Sequence, residues 1–239
     1  MTTSNNLINK SIKFVKDIMK SNDASHDWNH VERVWRMSVQ IAKKEQYQGD
    51  IEMLELAAIL HDVNDRKYSA KNDNVKVFLQ QNGYPEEKIA TIERVIEEIS
   101  FSNELENPGK DILLESKIVQ DSDRLDAIGA MGIARVFSYG TFAKRPLYSL
   151  TNYPSLSAFT ESQLNSTKML TKEEYQKTSN PTINHFYDKL FHLSKMMKTK
   201  TGRELAEKRH KTMYDFVNSF NEELVDCFSD QEQISKHLK

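Results

Sequence analysis

The sequence contains a single cysteine, Cys227, so an internal disulfide and a cysteine-based zinc cluster are both excluded, as suits a reducing compartment. No apolar run approaches the roughly 20 residues that a bilayer-spanning helix needs. The N-terminal stretch MTTSNNLINKSIKFVKDIMK has no continuous apolar core of the kind a signal peptide carries. Neither sign of charge is in excess: 33 Lys and Arg stand against 35 Asp and Glu, a net −2. That balance leaves no whole-chain electrostatic signal for nucleic acid or an anionic membrane. Together these absences predict a soluble, cytoplasmic protein. Glycine (7) and proline (5) are scarce in 239 residues, and no stretch alternates apolar and polar residues with period two. At this length one core, and so one domain over residues 1–239, is the expectation.

What the sequence does have is a 3.6-residue apolar period nearly throughout, which predicts an all-α bundle. A first helix is expected from about Leu7 to Lys20, with Ile8, Ile12, Val15 and Ile18 or Met19 on one face. A second, from about Trp28 to Gln46, aligns His30 with Val34, Met37 and Ile41. Gly49-Asp50 separates it from a third that carries Leu54, Ala57, Ala58 and His61. Ser69 is placed to cap a fourth, which closes at Asn82-Gly83, and Pro85 opens a fifth that ends near Ser100. The stretch SNELENPGK reads as a loop, followed by one long sixth helix from Asp111 to about Tyr139. From about 140 to 181, Thr, Ser, Asn, Tyr and Pro dominate and the period fades, which predicts a long irregular excursion. Two helices, about 183–198 and 202–220, then close the chain.

The third helix ends in an unusual way. In ILHDVNDRKY (59–68), the apolar run delivers His61 and Asp62 side by side, where burying an unpaired charge is costly. On the second helix His30 shares the core-facing stripe. On the sixth, KIVQDSDRLDAIGAMGIAR sets Asp121, Asp123 and Asp126 among Ile118, Val119, Leu125 and Ile128. One inward histidine is more often a satisfied core residue than a ligand, and an aspartate at a helix end is commonly a cap. The ordered set is the stronger signal. Two imidazoles and two carboxylates from three helices suit one divalent ion with coordination positions left open, and such an ion would compensate the buried charge.

The pattern H…HD…D in an all-helical chain resembles the HD-domain superfamily of metal-dependent phosphohydrolases. The likeness is strongest to its compact single-domain bacterial branch, some of whose members look like nucleotide pyrophosphohydrolases. It rests on SHDWNHVERV (25–34), LHDVNDRKY (60–68), QDSDRLDAIGAMGIARVF (120–137), INHFYDKL (183–190) and TGRELAEKRHKTMYDF (201–216). The resemblance implies an HD-type bundle with its metal-binding core at about 26–137 and C-terminal helices at about 183–222. It implies metal ligands at His30, His61, Asp62 and Asp123, the last because the ligand aspartate in related proteins precedes a short RL-like pair, here DRLD. Periodicity favours Asp121 instead, which lies on the more apolar stripe with Leu114, Ile118, Leu125 and Ile128. Both remain open at this point.

Binuclear relatives carry further histidines after the HD pair. This chain has none between His61 and His185, so one ion, Mn²⁺, Mg²⁺ or similar, is expected. Such an ion lowers the pKa of water it holds and polarises a phosphoryl oxygen. Asp65, one turn beyond Asp62, is the candidate catalytic group that manages the proton. Arg66 and Lys67 are candidate phosphate clamps, and His26, one turn before His30, is a candidate substrate contact. On an ordinary surface the same residues would be an ion pair, solvated charges and a capping histidine. Arg124 and Arg135 fall within the resemblance too, with ion pairing to Asp126 or to glutamates as their structural reading. The implied activity is hydrolysis of a nucleoside or deoxynucleoside triphosphate with release of pyrophosphate. A 5′-nucleotidase-type phosphomonoesterase and a non-catalytic metal- or nucleotide-binding regulatory module are the alternatives. The expected partner is a small nucleotide; a homodimer stays open.

Overall fold

The computed structural model describes residues 3–63, 74–107, 109–149 and 180–228. Among them there are ten α-helices and no strand: α1 Thr3–Ile18, α2 Trp28–Lys44, α3 Ile51–Leu60, α4 Asn74–Gln81, α5 Glu86–Glu98, α6 Phe101–Glu106, α7 Leu114–Asp126, α8 Gly129–Phe142, α9 Phe191–Leu193 and α10 Lys200–Phe228. None is long and apolar enough to cross a membrane.

The organising element is α3, whose sequence IEMLELAAIL is apolar almost all round. Such a helix has no face to give to water and is buried in the middle of a bundle. Seven of its residues, Met53, Leu54 and Leu56 through Leu60, are buried. Around it pack α1, α2, α5 and α7, and α10 lies along α7 and α8. Caps fix where the helices start. The Asp27 carboxylate accepts from the His30 amide at 3.1 Å, and that of Asp50 accepts from the Met53 amide at 3.1 Å. Each satisfies a backbone donor that the first turn leaves unpaired. The Asp27 cap therefore also sets the rotation at which α2 presents His30.

Several boundaries differ from the sequence reading. The stretch expected as a loop holds the short helix α6, and the long helix expected from Asp111 to Tyr139 is two. The break comes at Gly129, whose φ of +76° is open to glycine and costly for other residues; a Cβ there would also meet Arg209 Cβ at 2.9 Å, where α10 crosses. The irregular excursion starts later than 140, since α8 runs to Phe142. The penultimate helix is a composite: π-helical at Phe186–Leu190, α at Phe191–Leu193, and 3₁₀ at Ser194–Met196. The proposed cap Ser69 and the bulk of the excursion, residues 150–179, lie outside the described residues.

Candidate metal centre

Three helices deliver the centre. His30 stands in the first turn of α2, His61 follows the last residue of α3 with Asp62 next to it, and Asp123 sits one turn before the end of α7. His30 Nε2 lies 3.2 Å from Asp62 Oδ2 and 3.5 Å from Asp123 Oδ1. His61 Nε2 lies 3.4 Å from Asp62 Oδ1 and 3.9 Å from Asp123 Oδ1. Ligand atoms bound about 2.0–2.2 Å from a common ion are separated by about 3.0–3.5 Å at neighbouring positions, so the spacing fits coordination. One ligand atom each of His30, His61 and Asp123 fall within 4.8 Å of one another.

Both rings are anchored from behind through Nδ1. His61 Nδ1 donates to the Ala58 carbonyl at 2.9 Å, an arrangement that in the neutral imidazole places the lone pair on Nε2. That Nε2 is buried and has no hydrogen-bond partner among the described residues. A buried polar atom of this kind calls for a partner of another sort, and a cation supplies one. His30 Nδ1 donates at 2.8 Å to Asp126, which leaves its Nε2 facing the same point. A metal-ligating histidine held through its outer nitrogen is a recurrent arrangement. The donor set therefore fits a divalent ion. The imidazoles form a closed floor, with side chains 1% and 2% exposed, whereas Asp62 is 22% and Asp123 37% exposed. The carboxylate side is the open one, which is where water and substrate would reach an ion.

The electrostatics follow from this crowding. Burial and Arg135 both lower the His30 pKa, but hydrogen bonds to Asp126 and Asp62 outweigh them and push it up to about 9. Burial raises the Asp62 carboxyl, yet the neighbouring His61 and His30 hold it well below the usual carboxylate range. Asp126 behaves likewise, held low against its burial by His30 and Arg33.

Asp121 is turned elsewhere. Fully buried, it accepts from the amides of Lys198 (2.9 Å) and Thr199 (2.7 Å) and from Thr199 Oγ1 (2.7 Å), just ahead of α10. A Cβ on Gly202 would strike its Oδ2 at 2.2 Å, so this glycine is what lets the carboxylate reach the backbone. His26 lies beside the centre: its ring is 6.2 Å from that of His30, edge-on to Tyr139 at 5.8 Å, and its Nδ1 is 2.7 Å from Ser25 Oγ. Asp65, Arg66 and Lys67 fall in 64–73, outside the described residues. Arg124 is structural, binding Glu104 and the Met196 carbonyl, while Arg135 binds Asp126 and the Ser25 carbonyl. His210 packs against Phe191 and reaches Ser194. The part played by Arg33, which clamps Asp126 with both Nε and Nη2, was missed from the sequence. Spacing offered the clue: Arg33 follows His30, and Asp126 follows Asp123, by one helical turn each.

Residues 27–128, which contain all four of these donors, match the HD domain family. Across 88% of this chain and 90% of its own length, YpgQ of Bacillus subtilis is 31% identical. The chain belongs to the HD-domain family. HD domains bind divalent metal, and the fold is that of HD-superfamily hydrolases. An HD-superfamily hydrolase of Bacillus thuringiensis superposes with a TM-score of 0.65 at 32% identity, over 92% of this chain and 98% of that one. A Lactobacillus plantarum protein gives a TM-score of 0.78 at 30% identity, over 92% and 97%. The crystal structure of YpgQ in complex with ADP gives 0.68 at 27% identity, over 93% and 97%.

Proposed function

We propose that this HD-domain protein is a metal-dependent phosphohydrolase of nucleotides, releasing pyrophosphate from nucleoside or deoxynucleoside triphosphates. The observation that carries the hydrolase reading is the convergence of His30, His61 and Asp123, with Asp62 beside both imidazoles and the buried His61 Nε2 otherwise unpartnered among the described residues. Support for a nucleotide comes from YpgQ, a relative that has been crystallised with ADP. In this reading those four residues hold one divalent ion, Mn²⁺ or Mg²⁺, which when bound supplies Lewis acidity toward a phosphoryl oxygen and acidifies water. The protein's own groups do the rest. The buried imidazole floor keeps water off one side of the centre, so substrate approaches over Asp62 and Asp123. Asp65, three residues past Asp62, accepts the proton of the attacking water. Arg66 and Lys67 neutralise the phosphate oxygens, and His26 contacts the substrate beside His30.

The test is product identification. Chelator-treated protein would be assayed with nucleoside mono-, di- and triphosphates, each with Mn²⁺ or Mg²⁺. Pyrophosphate plus a nucleoside monophosphate from triphosphates is the expected result. Orthophosphate from monophosphates would make the protein a phosphomonoesterase instead. No turnover in any combination would point to a regulatory binding module.

A further inference from the structure

Four N–H donors converge on the two oxygens of one buried carboxylate, Asp126. Its Oδ1 accepts from Arg33 Nε at 2.6 Å. Its Oδ2 accepts from His30 Nδ1 at 2.8 Å, Arg33 Nη2 at 3.0 Å and Arg135 Nη1 at 3.1 Å. Asp126 touches none of the converging atoms of the centre, yet it is only 5% exposed and spans α7, α2 and α8. Two arginines are more than one carboxylate needs for neutrality. Their geometry makes sense if its position, and not merely its charge, must be held. Arg135 also donates through Nε to the Ser25 carbonyl at 2.8 Å, which ties the same hub to the loop that carries His26.

We propose that Asp126 is the positioning residue of the centre, keeping the proton of His30 on Nδ1 so that Nε2 is free to coordinate, with Arg33 and Arg135 holding Asp126 in place. This rests on the reading of His30 as a metal ligand. The chemistry is a matter of tautomers. An imidazole whose Nδ1–H is engaged by a carboxylate presents a lone pair at Nε2. Asn at position 126 either turns its NH₂ toward the three donors around Oδ2, driving the His30 proton to Nε2, or keeps a weaker neutral contact and leaves two guanidinium charges uncompensated beside a cation site. Both weaken metal binding. Outer carboxylates of this kind are worth about 10–100-fold in metal affinity.

The experiment is a calorimetric titration of chelator-treated protein with Zn²⁺, for wild type, Asp126→Asn, Arg33→Gln and His61→Ala. It is paired with long-range ¹H–¹⁵N spectra of the His30 ring in the Zn²⁺-loaded protein and with circular dichroism to confirm folding. Asp126→Asn is expected to bind Zn²⁺ about 10–100-fold more weakly and to lose the protected Nδ1 proton signal of His30. Arg33 is one-third exposed, so Arg33→Gln is the milder substitution, and it is expected to lose less affinity while retaining that signal. Wild-type Zn²⁺ affinity in both variants, with the His30 signal intact, would overturn the proposal. If Asp126→Asn does not fold, wild-type affinity in Arg33→Gln overturns it alone. His61→Ala separates the two ideas: wild-type affinity there as well would place the failure with the metal reading itself.

Discussion

Asp121 and Asp123 are two residues apart on α7, and packing gives them opposite tasks. Asp121 is buried against the start of α10 and satisfies two backbone amides and a hydroxyl, whereas Asp123 faces the two imidazoles with 37% of its side chain exposed. Asp123→Asn is therefore expected to abolish metal binding and turnover together, read by metal analysis and phosphate release. Asp121→Asn should retain the ion but put an amide donor among the donors before α10, a loss of about 1–3 kcal/mol visible in denaturant unfolding. The reverse pattern would hand the ligand role to Asp121. Asp65 gives a second prediction at this scale. General acid–base groups contribute about 10²–10⁴-fold, so Asp65→Asn should lower kcat by that order with metal content intact. Arg66→Ala or Lys67→Ala should raise KM instead, more for triphosphates than for monophosphates. Near-normal kcat in Asp65→Asn would reduce that residue to an ion-pair partner.

At the scale of elements, the centre depends on where helices stop. The buried helix α3 ends so that His61 and Asp62 emerge at the core's edge, and α7 ends at Asp126 because Gly129 takes the left-handed backbone while α10 presses against it. Gly129→Ala adds both a Cβ clash with Arg209 and an unfavourable φ, so it should destabilise by about 1–3 kcal/mol. Thermal unfolding measures this, and an unchanged Tm would show that the junction relaxes freely. Much of this layout was legible in the sequence, because apolar periodicity reports burial directly. Of the stripe His30, Val34, Met37 and Ile41, all but the half-buried Met37 are buried as the period implies, and so is most of the apolar α3. Periodicity could not separate a helix from two helices with a glycine junction, since Ile128 and its neighbours stay apolar across the break. It favoured Asp121 over Asp123 for a related reason: the most apolar stripe marks the deepest core, and a carboxylate found there is held by backbone amides, not left open to solvent. The helix α6 was hidden because its polar sequence FSNELE has no buried residue of its own. Its Glu104 nonetheless ties α7 to the segment before α10 through Arg124 and Lys198.

At the scale of the whole molecule, folding and metal binding are coupled through protons. The His30 pKa is raised from 6.5 to about 9 in the metal-free protein. That contribution to stability is fully present below about pH 6.5 and is lost as the pH rises through about 9. An ion at Nε2 displaces the same proton, so its affinity strengthens over that window. The gain in Tm on adding Mn²⁺ should therefore be larger at about pH 8.5 than at about pH 6.5. A gain independent of pH would remove His30 from the ligand set. The central claim is that helices far apart in sequence are packed so as to hold one divalent ion, and elemental analysis of protein purified without chelator or affinity metal tests it most directly. The account predicts about one divalent ion per wild-type chain and none in His61→Ala. Equal metal content in the two proteins would contradict it.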